Sequence, residues 1–168
     1  MDAALTDLGA DLADLAAEAA ALILPLWKSG LEVIAKADKS PVTEADRRAE
    51  TLILEGLARR FPGVPVISEE HASEFGTPDA IGPRFFLVDP LDGTKAFVRG
   101  DPHFTVNIAL IDHGHPVAGA VAEPASISSA FLVRASALTR TRARRSESDD
   151  NWVNIRKVSR CRAKASCI

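Results

Sequence analysis

The chain of 168 residues contains 46% hydrophobic residues and carries a formal net charge of −3 at pH 7. This length and composition predict one ordinary soluble domain with a core of its own. No apolar run is long enough to span a membrane and no secretion signal opens the chain, so we expect a cytoplasmic protein. The two cysteines, Cys161 and Cys167, match no zinc or redox spacing and predict no disulfide framework.

The net charge conceals two different kinds of sequence. Residues 1–133 hold 20 acidic and 10 basic residues, whereas residues 134–168 hold 3 acidic and 10 basic residues. The second segment also lacks a sustained apolar period. We therefore expect an αβ lobe over residues 1–133 and a basic, divergent tail over residues 134–168, and we interpret the change as a truncated or frameshifted product.

Two helices are expected in the first 60 residues. Leucine and alanine at three- and four-residue steps predict an amphipathic helix over residues 3–24, which Pro25 should kink or end. A second helix is expected from Thr43, as its N-cap, to about Arg60. Between these helices the pattern predicts a short strand at 32–36 and a loop at 37–42.

Strands dominate from residue 64 onward. Helices first and then mainly antiparallel strands predict a layered α+β fold. The expected elements, in order, are a strand at 64–68 ending at Glu69, a loop at 71–83, a buried strand at 85–88, a hairpin of 104–112 with 116–123, and a strand at 130–133.

The segment Asp89–Thr94 carries the clearest chemical signal. It places two carboxylates three residues apart, directly after an apolar strand. Pro90 fixes φ and so restricts the turn that carries Asp92. Gly93 and Thr94 open a helical turn whose free N–H groups would suit a phosphate. Because Mg²⁺ takes carboxylate and carbonyl oxygens and often shares phosphate oxygens, the pattern indicates metal-assisted phosphate hydrolysis.

Residues Asp89–Phe97 resemble the signature of the lithium-sensitive, magnesium-dependent phosphomonoesterase superfamily, D-P-[LI]-D-G-[ST]-x-x-[FY], at every defined position. That superfamily includes the inositol monophosphatases, the fructose-1,6-bisphosphatases and the 3'(2'),5'-bisphosphate nucleotidases. The resemblance implies the first αβ lobe of the layered αβαβα sugar-phosphatase-like fold, with two N-terminal helices packed on a largely antiparallel sheet. A second lobe with a W-D-x-A motif follows in the superfamily, and this sequence contains no such motif.

The resemblance also implies a magnesium site. In the superfamily the first glutamate of a [GS]-E-E step binds metal, and Ser68-Glu69-Glu70 matches that step. The alternative is that both glutamates are solvated loop charges. The implied magnesium ligands are Glu69, Asp89, the Leu91 carbonyl and Asp92, and the implied substrate contacts are Glu69, Leu91, Asp92, Gly93 and Thr94.

A third block implies a catalytic pair that acts together with Glu69. Residues Lys36–Asp46 resemble the K-x-D-x-S-P-V-T-x-A-D block of the bisphosphate nucleotidases. Its final aspartate pairs with the signature threonine there and helps to activate the attacking water, which assigns these roles to Asp46 and Thr94. Thr43 to Asp46 could instead be only a helix cap, and both descriptions can hold together.

Three basic residues near these blocks have two possible roles each. Lys95 and Arg99 follow the phosphate turn, and they either screen substrate charge or are ordinary surface cations. Lys36 is equally open.

Three segments, 40–43, 93–95 and 104–111, resemble the bacterial CysQ-type nucleotidases, whereas Ala96 departs from the glutamate usual there. The resemblance implies removal of the 3'-phosphate from 3'-phosphoadenosine 5'-phosphate, with a role in sulfur metabolism. We expect weak activity and self-association because the second lobe is missing. The alternatives are an inositol monophosphatase and a non-catalytic fragment whose basic tail binds polyanions; nucleic acid is not expected, since Trp152 is the only aromatic residue of that tail.

Overall fold

The computed structural model describes residues 3–29, 33–35, 41–78, 81–125 and 131–134. Two long helices packed against a mainly antiparallel sheet confirm the predicted α+β class. The elements are α1 (Ala3–Ser29), β1 (Val33–Ala35), β2 (Pro41–Thr43), α2 (Glu44–Arg60), β3 (Val66–Ser68), α3 (Glu69–Phe75), β4 (Arg84–Asp92), α4 (Thr94–Val98), β5 (Thr105–Asp112), β6 (His115–Ala122) and β7 (Phe131–Arg134).

Five strands form one sheet in the order β3-β4-β5-β6-β7, in which only β3 and β4 run parallel. Strands β1 and β2 form a separate antiparallel pair. The parallel register sets Ser68 opposite Val88. Glu69 directly follows Ser68, and Asp89 directly follows Val88. Both acidic residues therefore lie at the same end of this strand pair.

The core lies between the sheet and the two long helices. Alternate side chains of a strand point to opposite faces, so one set of strand residues packs against α1 and α2. The other set is only half-buried. The main core residues are Leu12, Leu15, Ile23, Ile53, Leu57, Phe86, Val88, Val106, Ile108 and Ala120, and the half-buried outer face includes Phe85, Leu87, Ala109 and Val121.

The sequence predicted that Pro25 would kink or end helix α1. The helix does not end there but continues to Ser29. Pro25 has no N–H to donate to the Ala21 carbonyl, and both residues are exposed, so water can bind that carbonyl instead. Beyond the proline, the ring of Trp27 packs against Phe104 with centroids 5.4 Å apart. This contact favours the extra helical turn.

Two segments that were predicted as loops contain regular secondary structure. Residues 71–83 were expected to be loop, yet α3 covers Glu69–Phe75, and β2 occupies part of the expected 37–42 loop. Helix α3 has only seven residues and leaves Phe75 69% exposed, so it shows no apolar period in the sequence. Strand β4 also runs beyond Val88 to Asp92, with a register shift between Asp89 and Asp92.

The remaining elements match the predictions. The second helix, the β5–β6 hairpin and the last strand are confirmed, with ends that differ by a few residues. None of the helices in the described part of the chain has the length and apolar character that crossing a bilayer requires.

Helices α1 and α2 approach each other closely at Gly56. A Cβ atom at this position would lie 2.4 Å from Leu15 Cδ1. We expect Gly56→Val to lower the free energy of unfolding by about 1–3 kcal/mol, because the added methyl groups overpack the contact. Urea unfolding measures this change.

The matched control is Ala58→Val, an exposed position on the same helix. It introduces the same β-branched side chain without the contact and should cost less than about 1 kcal/mol. Equal losses in the two variants would show that helix propensity, and not the contact with Leu15, sets the effect.

Candidate active site

Helix α2 begins with a complete capping box. The Asp46 carboxylate accepts hydrogen bonds from Thr43 N at 2.8 Å and from Thr43 Oγ1 at 2.5 Å, while Thr43 Oγ1 accepts from Asp46 N at 3.4 Å. Both residues are fully buried. The predicted cap is therefore present, and it fixes the orientation of the Asp46 carboxylate.

Thr94 lies between Asp46 and the signature loop. Its Oγ1 is 3.2 Å from Asp46 Oδ1 and 3.1 Å from the Leu91 carbonyl oxygen. A hydroxyl group has one hydrogen to donate to these two acceptors and keeps lone pairs that can accept a proton. The structure thus brings together the two residues, 48 positions apart, that the sequence analysis paired.

Burial raises the pKa of Asp46 above the ordinary 3.8, although the hydrogen bonds from Thr43 and Thr94 partly oppose that rise. Removing the carboxylate from water disfavours its charged form. A carboxylate with a raised pKa is also the stronger base, and this one is directed at a hydroxyl group.

The turn between β4 and α4 requires glycine. Gly93 has φ of 98°, and a Cβ atom there would lie 2.9 Å from the His103 carbonyl oxygen and 3.3 Å from Phe104 Cα. Phe104 is held from behind by the rings of Phe97 at 5.2 Å and Trp27 at 5.4 Å. The loop over Gly93 therefore rests on a packed aromatic cluster.

The predicted magnesium ligands are present but do not form a group. Asp89 and Asp92 lie half-buried on β4, and Glu69, which directly follows β3 as predicted, is exposed in the first turn of α3. Their oxygens, with the Leu91 carbonyl, are donors that suit a hard cation. Among the described residues, however, no three carboxylate, histidine or cysteine side chains lie close enough together to hold a metal ion.

Of the ambiguous cations, Lys95 and Arg99 are exposed on and after α4, and Lys36 lies outside the described residues. The sequence analysis missed Glu50. Its Oε1 accepts a hydrogen bond of 2.9 Å from the backbone N–H of His71 in α3. Glu50 follows Asp46 by four positions, a spacing that places both on one side of a helix and could have indicated it.

The sequence model of the inositol monophosphatase family matches residues 7–163. The chain belongs to the inositol monophosphatase family. It is 51% identical over 94 residues to the 3'(2'),5'-bisphosphate nucleotidase CysQ of Escherichia coli, an alignment that covers 56% of this chain and 38% of the relative. The chain therefore spans about two-fifths of the length of that curated relative.

Solved structures of family members share the fold. An inositol monophosphatase from Zymomonas mobilis superposes with a TM-score of 0.61 and 34% identity, over 79% of this chain and 49% of the other. CysQ from Bacteroides thetaiotaomicron superposes with a TM-score of 0.53 and 27% identity, over 92% of this chain and 55% of the other. These likenesses confirm the predicted family and the first lobe of its fold.

The raised pKa of Asp46 predicts a particular pH dependence of stability. Between pH 3.8 and the raised folded-state pKa, the unfolded chain releases this proton while the folded chain keeps it. The contribution of Asp46 to the free energy of unfolding is therefore largest below pH 3.8 and declines as the pH rises through the folded-state pKa. Urea unfolding of the wild type should show this decline relative to Asp46→Asn.

Carbon-detected NMR titration of the Asp46 carboxyl group checks the same point directly. The midpoint should lie above 3.8 and should rise further in Thr94→Val, because that variant removes a hydrogen bond to the charged form. A wild-type midpoint at or below 3.8 would contradict the assignment.

The Gly93 turn makes a second prediction. In Gly93→Ala the new Cβ atom combines an unfavourable positive φ with a close contact to the His103 carbonyl oxygen. Gly63→Ala is the control, because Gly63 also has a positive φ, of 81°, but a Cβ atom there would have no atom within 4 Å. The control should cost about 1 kcal/mol in the free energy of unfolding, and Gly93→Ala about 1–3 kcal/mol more. If both variants lose the same amount, the close approach to residues 103 and 104 has no energetic importance.

Proposed function

We propose that the chain carries the catalytic lobe of a magnesium-dependent phosphomonoesterase, and that its substrate is 3'-phosphoadenosine 5'-phosphate, from which it releases the 3'-phosphate to leave AMP. The observation that carries this proposal is the hydrogen bond from Thr94 Oγ1, two positions after the signature residue Asp92, to the buried Asp46 carboxylate. The 51% identity to the nucleotidase CysQ supports the choice of substrate.

In this proposal Thr94 relays a proton. An attacking water gives its proton to Thr94 Oγ1 while the Thr94 hydroxyl gives its own to Asp46 Oδ1, 3.2 Å away. The water oxygen then bonds to phosphorus, the ester P–O bond breaks, and the leaving 3'-oxygen takes a proton from solvent. The raised pKa of Asp46 favours this transfer because it makes the carboxylate a better proton acceptor.

Mg²⁺ would be held by Glu69, Asp89, the Leu91 carbonyl and Asp92. When bound, such an ion lowers the pKa of water and offsets charge on the leaving oxygen. The Leu91 carbonyl accepts from Thr94 and has a second lone pair available. Because the three carboxylates do not form a group in the structure, at least one of these side chains would have to move for all of them to hold the same ion.

The phosphate would contact Glu69, Leu91, Asp92, Gly93 and Thr94, around the turn that joins β4 to α4. An inositol monophosphatase is the second candidate, because the Zymomonas mobilis enzyme of that name is 34% identical and superposes well. The two candidates share this phosphate site and differ in what surrounds it, so a comparison of substrates separates them.

Three wider predictions accompany this proposal. A role in sulfur metabolism comes from the resemblance to CysQ, and the cytoplasmic location expected from the sequence stays a prediction. Self-association is proposed because the half-buried apolar side chains of the outer sheet face would gain from being covered. The alternative of a non-catalytic fragment with a polyanion-binding tail stays untested, because residues 135–168 lie outside the described part of the chain.

The proposal predicts phosphate release that depends on Mg²⁺. Release from 3'-phosphoadenosine 5'-phosphate should exceed release from inositol 1-phosphate and should stop with a chelator or in Asp92→Asn. Thr94→Val should reduce kcat by about 10²–10⁴-fold, because the proton relay is lost, whereas Thr94→Ser keeps the hydroxyl group and should retain most activity.

The matched control is Thr51→Val, which removes an exposed hydroxyl group on α2 that donates only to the Arg47 carbonyl. It should leave the rate unchanged. Release that persists in Asp92→Asn, or that is equal with and without Mg²⁺, would refute the proposed function in a sample shown to be folded. A preference for inositol 1-phosphate would select the second candidate.

A further inference from the structure

The N-terminus of α3 lacks a cap from its own N-cap residue. Ser68 stands at the N-cap position, but its side chain makes no capping hydrogen bond, and its Oγ is buried without a partner. The first N–H groups of a helix have no acceptor inside the helix. Another group has to satisfy them, or they stay exposed to water.

Glu50 supplies the missing acceptor from another helix. Its Oε1 lies 2.9 Å from the N–H of His71, which is the third residue of α3 and the usual target of an N-cap side chain. The two residues are 21 positions apart in the chain. The cap of α3 therefore depends on where α2 lies.

The same helix also holds the catalytic pair. Asp46 and Glu50 are one helical turn apart on α2, and Asp46 contacts Thr94 while Glu50 contacts α3. Glu69 is the first residue of α3, two positions before His71. A hydrogen bond at His71 thus fixes the backbone from which the Glu69 side chain extends.

We propose that Glu50 is a positioning residue: by accepting from the His71 amide it fixes the backbone of Glu69 relative to Asp46, and so fixes the point from which the Glu69 side chain would reach a divalent cation. This inference rests on the proposed function for its consequence, metal binding. The hydrogen bond itself does not depend on a metal.

The test uses the full chain and four variants. Glu50→Ala removes the acceptor, and Glu50→Gln keeps a side-chain oxygen in the same place without the charge. Glu55→Ala is the matched control, since Glu55 is an exposed glutamate on the same helix that pairs only weakly with Arg59, at 3.7 Å. Asp92→Asn reports on the proposed cation site.

The first readout is the solvent-exchange rate of the His71 amide proton by NMR, without metal. Glu50→Ala should speed it by about fivefold, the effect of losing one helix cap, while Glu50→Gln and Glu55→Ala should stay near the wild type. An unchanged rate in Glu50→Ala would overturn the inference at its first step.

The second readout is the Kd for Mn²⁺, measured by its electron paramagnetic resonance signal, because Mn²⁺ accepts the same oxygen ligands as Mg²⁺. Glu50→Ala should weaken binding by about tenfold, as expected for loss of an outer-shell partner, and Glu50→Gln should restore it. If Glu50→Gln restores slow exchange but not Mn²⁺ affinity, charge and not position is responsible, and the inference is wrong.

The two readouts also separate the inference from the proposed function. A wild-type chain that binds Mn²⁺ no better than Asp92→Asn refutes the proposed cation site, and with it the metal-binding consequence for Glu50. The exchange rates would then still decide whether Glu50 holds α3. Faster exchange in Glu50→Ala together with unchanged, Asp92-dependent Mn²⁺ binding overturns the positioning role alone.

Discussion

The buried carboxylate of Asp46 is the constraint on which the rest of the site depends. Taking a carboxylate out of water is costly, and hydrogen bonds from Thr43 N, Thr43 Oγ1 and Thr94 Oγ1 offset that cost. Two of these donors belong to the start of α2 and the third to the start of α4. The group that caps one helix therefore also holds the turn of the signature loop against it, which links the stability of the lobe to the geometry of its site.

Helix α1 also supports the turn at Gly93, through Phe104. Its last turn, beyond Pro25, places Trp27 against Phe104, and Phe104 lies under Gly93. A helix that stopped at the proline would leave this aromatic contact unmade. The continuation of α1 and the requirement for glycine at position 93 thus both involve the packing around Phe104.

Much of this could be predicted from residues that are close together in the sequence. The two long helices follow from apolar periods, the cap follows from Thr43 and Asp46 three positions apart, and the signature loop follows from contiguous residues. Contacts between distant residues could not be predicted in this way. Helix α3 has no apolar period of its own, and Glu50, which caps it, is 21 positions away.

The sequence by itself therefore determined the α+β class, the family and the chemical types of the candidate ligands, because periodicity, caps and the signature are local patterns. The tertiary structure alone decided that α1 passes Pro25, that α3 begins at Glu69, and that Asp46 meets Thr94 within hydrogen-bonding distance. It also showed that the three candidate carboxylates are not gathered into a metal-binding group among the described residues. Each of these depends on the packing of separate elements, and the positions of those elements are set by the shared core and not by any single segment.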